Sequence, residues 1–143
     1  MPASYTTSLK LTLPADGDTN WGTVVNNGIT SLIDSSVAGT AAVAHDNTAN
    51  YTLTSVNGTA DEARKMFLNI TGTLTANRNV VCPTVSKLYF ITNSTTGSPT
   101  GFDITLKTSA GTGILVPNGR SVVLYCDATN VVNALSAPAG GTF

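Results

Sequence analysis

The residues able to do acid–base chemistry are few and scattered. The eight carboxylates are Asp16, Asp18, Asp34, Asp46, Asp61, Glu62, Asp103 and Asp127. Glycoside hydrolysis needs two of them opposed across a bond, and no spacing here sets up such a pair. Asp16 and Asp18 belong to a turn before a helix, and Asp127 fits another turn. Asp61 and Glu62 stand beside Arg64 and Lys65 and read as a solvated charge patch. His45 is the only histidine, followed by Asp46. A Ser-His-Asp triad orients its histidine from elsewhere in the fold, and no G-x-S-x-G is present. His45 is expected in a loop, exposed or hydrogen-bonded locally. Gly111-Thr112-Gly113 lacks the G-K-[ST] of a phosphate loop, so its glycines are read as a bulge or turn. The two cysteines, Cys82 and Cys126, form no C-x-x-C pair, and ligands for zinc are too few. Two buried free thiols at strand ends are expected; spacing leaves a disulfide open. Neither an enzyme nor a cofactor is expected.

Trp21 could stack on a sugar, but its phase places it first on an apolar stripe. Trp21, Val24, Val25, Gly28, Ile29, Leu32, Ile33 and Val37 recur at helical spacing. They predict an amphipathic helix over about residues 19–38. Asp18 or Thr19 is the expected N-cap, and Gly39 is placed for a left-handed C-terminus. Gly22 and Gly28 each weaken the helix by roughly 1 kcal/mol relative to Ala, so something must pack on it. Ahead of it, Leu9, Leu11 and Leu13 alternate with Lys10 and Thr12, which predicts a short strand or extended arm stopped by Pro14.

After Gly39 the chain reads as about eight short strands, expected to form a β-sandwich or barrel-like module. Tyr51-Thr52-Leu53-Thr54 stops at Asn57-Gly58, and Met66, Leu68 and Ile70 alternate with polar and aromatic neighbours. Residues 78–82 lead to Pro83. Residues 87–92 are continuously apolar, as in a strand covered on both faces. Phe102, Ile104 and Leu106 alternate, Ile114-Leu115-Val116 meets Pro117-Asn118-Gly119, and residues 121–126 and 131–135 complete the set. Tyr51, Tyr89 and Tyr125 fall in strand patterns and are expected in the core or at an interface. No internal repeat is evident, so a solenoid is not expected. The organisation expected is an arm and helix over 1–40 for attachment and trimerisation, a β-rich module over 41–137, and a flexible tail over 138–143.

The bulk composition narrows the function. The chain has 143 residues, 41% hydrophobic and 10% charged, with net charge −1, against roughly 25% charged in an ordinary soluble domain. A surface of Thr, Ser, Asn and Gly separates monomers poorly and suits an assembled subunit. Seven scattered Lys and Arg form no stripe that would neutralise phosphates, so nucleic acid is not an expected partner. No apolar run approaches the ~20 residues of a membrane span. The start carries no secretory signal pattern, so synthesis in a cytoplasm is expected. The sequons at Asn50, Asn57, Asn69 and Asn93 are then chance products of a Thr- and Asn-rich chain.

The stretch LKLTLPADGDTNWGTVVNNGITSLIDSSVAGT resembles a segment of tail-fibre-like and other appendage proteins of tailed bacteriophages. There, an L-x-L-x-x-P arm, a T/N-W-G turn and a V-N-x-G-I-x-x-L-I-D helix precede a β-rich module. ADEARKMFLNITGTLTANRNVVCP, KLYFITN, DITLKTSAGTGILVPNGR and VVLYCDATNVV resemble that module in the same order, so the resemblance covers most of residues 8–133. It implies a non-enzymatic structural component of a virion, made in the host cytoplasm and acting as a homotrimer. Its partners would be other virion structural proteins of tail or capsid, with a host-surface glycan as a further ligand. Members are often longer, with a host-recognition region beyond the module. This sequence stops at Phe143, which favours a short fibre, an adaptor or a capsid decoration or head-fibre subunit. The trimer seam or core is expected at Trp21, Val25, Gly28, Ile29, Leu32 and Ile33. The attachment arm is expected at Leu9, Leu11 and Leu13, adding as a strand to a neighbour's edge.

Overall fold

A computed structural model of the chain describes residues 4–135. The tail expected over 138–143 and the first three residues of the arm lie outside the described residues. The fold is mainly β, with one helical stretch. It opens with a hairpin of β1 (Ser4–Tyr5) and β2 (Thr12–Leu13), paired antiparallel. A helical stretch follows as α1 (Trp21–Val25), a π-helical turn (Asn26–Thr30) and α2 (Ser31–Ala38). Nine strands follow among the described residues: β3 (Thr40–Ala44), β4 (Asn50–Thr52), β5 (Phe67–Thr71), β6 (Arg78–Cys82), β7 (Ser86–Asn93), β8 (Ile104–Thr108), β9 (Gly113–Val116), β10 (Ser121–Asp127) and β11 (Val131–Asn133).

The strands form a sandwich of two sheets, ordered β11-β10-β7-β5-β3 and β4-β6-β8-β9. From β3 to β8 the chain alternates between the sheets, and β3-β5-β7 and β4-β6-β8 pair parallel. Ala41 lies against Leu68 and Leu68 against Ile91, so successive coils are offset by roughly 25 residues, within the range of solenoid periods. The sandwich is therefore wound as three coils, where no repeat is evident in the sequence. Parallel coils need matching faces and lengths, not matching residues. β9 and β10 then return antiparallel on β8 and β7, and β11 closes the larger sheet.

Period-2 alternation puts one face of each strand inside. Val43, Leu68, Ile70, Tyr89, Ile91 and Leu124 come from one sheet; Val80, Ile104, Leu106 and Val116 come from the other. The strand over residues 87–92, expected to be covered on both faces, instead alternates: Tyr89 and Ile91 are buried while Leu88 and Phe90 are only half-buried. One corner between coils is held by buried Asn93. Its amide donates to the carbonyls of Phe102 (2.9 Å) and Val116 (3.0 Å), and its oxygen accepts from Thr95 N–H and hydroxyl.

The loop from Leu53 to Met66 differs most from its reading as a solvated patch. Arg64 is buried and pairs with Asp61 at 3.3 Å, both side chains being 2% exposed. Its guanidinium donates to the carbonyls of Leu9 (2.6 Å), Val56 (2.9 Å) and Thr59. Asp61 accepts from the Val56 and Arg64 N–H groups. Arg64 thus fastens the N-terminal hairpin to the sandwich, and the Gly58 N–H adds a bond to the Lys10 carbonyl at 2.7 Å.

The helical termini also depart from expectation. Asn20 is the N-cap with no side-chain cap bond; Asp18 Oδ1 accepts from the Asn20 N–H instead. Gly39 is extended, at φ −87°, because the chain passes straight into β3.

Candidate interaction surface

Among the described residues the carboxylates and His45 do not come together as an acid–base cluster. The carboxylates that accept hydrogen bonds hold local structure. Asp46, Asp103 and Asp127 accept from backbone N–H groups of Thr48, Asn118, and Thr129 and Asn130. Glu62 ties the Tyr51 hydroxyl to the Thr54 N–H. The Thr48 hydroxyl, at 2.7 Å, and then its N–H hold the Asp46 carboxyl below the usual range, as the Asn130 and Thr129 N–H groups do for Asp127. His45 is buried rather than exposed. Its Nε2 lies 3.1 Å from the Asn79 carbonyl, and its Nδ1 accepts from the Asn47 N–H at 3.1 Å. The Nδ1 that faces Asp46 at 3.8 Å is therefore already used, which leaves no oriented His–Asp pair. Among the described residues no group of three His, Cys, Asp or Glu could hold a metal, and no helix is long and apolar enough to cross a membrane.

What the fold does present is apolar surface. On the outer face of the larger sheet, pairing lines up Thr40, Phe67, Phe90 and Val123 in one row and Leu88, Tyr125 and Val132 in another. Phe67 and Phe90 stack with ring centroids 4.9 Å apart. They border a cleft of about 220 Å³ shared with Thr40, Asn69, Thr92 and Val123. The Thr92 and Ser121 hydroxyls bond each other at 2.8 Å, and the buried Asn69 Oδ1 has no hydrogen-bond partner. Asp127, paired with Ser86 at the end of β10, is the one acidic or basic residue at the outward positions of these strands. The outer face of the smaller sheet is polar by contrast, built from Asn50, Thr52, Asn79, Thr105 and Lys107, with Leu115 exposed. Soluble monomers rarely expose broad contiguous apolar patches without a use for them.

The helical stretch supplies the second apolar surface. Gly28 and Leu32 are buried within the chain and Val25 and Ile29 half-buried, while Trp21 is 63%, Ile33 42% and Val37 58% exposed. The π-helical turn explains the split. The Ser31 N–H bonds back to the Asn26 carbonyl, five residues away, and the extra residue rotates the stripe between its two halves. Gly28 sits at the turn because Thr12 does: a Cβ there would lie 2.6 Å from Thr12 Oγ1. The helix therefore packs mainly on β2. Lys10, at φ 54°, breaks the alternation of the arm. Leu11 is consequently buried, Leu9 half-buried and Leu13 exposed, so the three leucines do not share a face and residues 4–13 fold back as a hairpin.

Sequence reasoning placed the helix but missed the sheet face. The signal for Phe67, Leu88 and Phe90 was present, since each alternates with a buried neighbour, but apolar type alone reads as core. Comparisons with family models, curated proteins and solved structures find no match to this chain.

Proposed function

We propose that this chain is a structural subunit of a tailed-phage virion: a short homotrimeric tail-fibre-like or adaptor protein, attached by its N-terminal hairpin and helix. The observation that carries the reading is the apolar surface a single chain leaves uncovered, with Trp21, Ile33 and Val37 on the helix and Phe67, Tyr125 and Val132 on the sheet. Three copies around an axis bury both surfaces, and a nearly uncharged face matches another copy of itself. The turn-holding carboxylates and the internally bonded His45 favour a non-catalytic role. Capsid decoration uses the same surfaces and differs only in the attachment partner.

A second reading, glycan binding, is favoured by the cleft beside Phe67 and Phe90. Its aromatic edge, neutral hydroxyls and unpartnered Asn69 carbonyl suit a neutral sugar ring.

Light scattering on the purified chain is expected to give a trimer, and Trp21→Ser with Ile33→Ser to give a folded monomer. A wild-type monomer at micromolar concentration overturns the assembly. Antibody against the chain is expected to label intact particles in electron micrographs; unlabelled particles overturn the virion assignment. Saturable binding on a glycan array, lost in Phe67→Ala, would promote the second reading.

A further inference from the structure

Cys82 ends β6 in the smaller sheet, and Cys126 is the last residue but one of β10 in the larger. They approach from opposite layers, and both are buried in the same core cluster. The Cys126 thiol donates to the carbonyl of Pro83, the residue bonded to Cys82, at 3.7 Å, and the Cys82 thiol donates to the Lys107 carbonyl at 3.4 Å. The Cys126 sulfur thus lies beside the backbone of the residue that follows Cys82. Burial first, and then the proximity of Cys126, push the Cys82 thiol up to about 12. Lys87 faces Cys126 in the β7–β10 register, and its ammonium acts on Cys82.

We propose that Cys82 and Cys126 are a covalent modification site, a disulfide-forming pair that staples the two sheets when the chain folds in the presence of a disulfide oxidant such as oxidised glutathione. One thiolate attacks the oxidant, breaking its S–S bond and releasing one glutathione thiol. The second cysteine then attacks the protein sulfur of the mixed disulfide and releases the other. Two protein thiols lose two electrons and two protons, and one oxidised glutathione becomes two thiols. Only the thiolate is nucleophilic; burial keeps the Cys82 thiol protonated and both sulfurs out of an oxidant's reach. The reduced folded chain is therefore inert, and the bond forms while the layers are still apart. The closed loop takes in β7, β8 and β9, so linking its ends removes conformations from the unfolded chain.

The test is to unfold the reduced chain, refold it in a glutathione redox buffer, alkylate it, and map peptides without reductant. The expected product is an intramolecular Cys82–Cys126 peptide pair. Its melting temperature should lie at least about 5 °C above that of the reduced chain, and reductant should abolish the difference. Refolded chain with both cysteines alkylated, cross-links between chains, or an unchanged melting temperature overturns the proposal. Cys82→Ser should melt alike in both buffers. Where that variant does not fold, oxidised and reduced wild type from one preparation decide the question.

Discussion

Replacing Arg64 by Met keeps most of the volume of the side chain and removes its charge and donors. The variant leaves the Asp61 carboxylate buried without its ion pair, and the carbonyls of Leu9, Val56 and Thr59 lose their shared donor. Removing one partner of a buried pair costs about 3–5 kcal/mol, and stranded acceptors cost about 1–3 kcal/mol each, though not additively. Asp61 keeps its bonds from the Val56 and Arg64 N–H groups, which limits the damage. The expected loss is about 4 kcal/mol, a large share of the roughly 5–15 kcal/mol that holds a domain together. Urea unfolding followed by far-UV circular dichroism measures it; Trp21 is too exposed to report on the core. Adding Asp61→Asn removes the stranded charge and should recover about 1–2 kcal/mol. Limited proteolysis should cut at Lys10 in Arg64→Met and spare wild type, because the Leu9 carbonyl is released. A loss under 1 kcal/mol, or no recovery in the double variant, would refute the view of Arg64 as the clamp between hairpin and sandwich.

Two glycines of one helical stretch should respond to Ala with opposite signs. Gly22 has open space around its missing side chain, so Gly22→Ala should stabilise by up to about 1 kcal/mol; Gly28→Ala drives a Cβ against Thr12 and should cost about 1–3 kcal/mol, partly restored by Thr12→Gly. Thermal melts of the three variants check both signs. Burial holds the Lys87 ammonium at about 8 against an ordinary 10.5, so between those values the unfolded chain binds more protons and folding gains stability as pH rises. In Lys87→Met that gain is absent, and the stability difference should move toward wild type by roughly 3 kcal/mol between pH 7 and pH 10.5. The raised Cys82 thiol acts in the opposite direction above its ordinary value of 9, and more strongly in the variant, which lacks the ammonium that lowers it; this widens the difference in the same sense, so a flat difference across this range would sink the assignment.

The strands of the core were legible because alternation is a local signal. β5, β8 and β10 lie where period-2 patterns put them, and Gly58 and Gly119 take positive φ at the turns their neighbours announce. The helical stretch was legible as an element but not in its phase, because a bond reaching back five residues leaves no mark on an apolar stripe. Arg64 was misread for a different reason. Asp61, Glu62, Arg64 and Lys65 look alike as letters, and only the return of the chain past Leu9 distinguishes a clamp from a solvated patch.

The misreading of β7 bears most directly on function. Burial inferred from residue type assumes that an apolar side chain is covered, and it says nothing about what covers it. Tyr89 and Ile91 are covered by the opposite sheet, whereas Leu88 and Phe90 point to the side where the described residues supply no second layer. A strand buried between two layers and a strand with one apolar face left open are therefore written with the same residues. In the proposed assembly, the partly exposed rows of Phe67, Phe90, Leu88 and Tyr125 are the face that a neighbouring copy would cover. The scarcity of charge around them, visible in the composition, was the part of that surface the sequence could express.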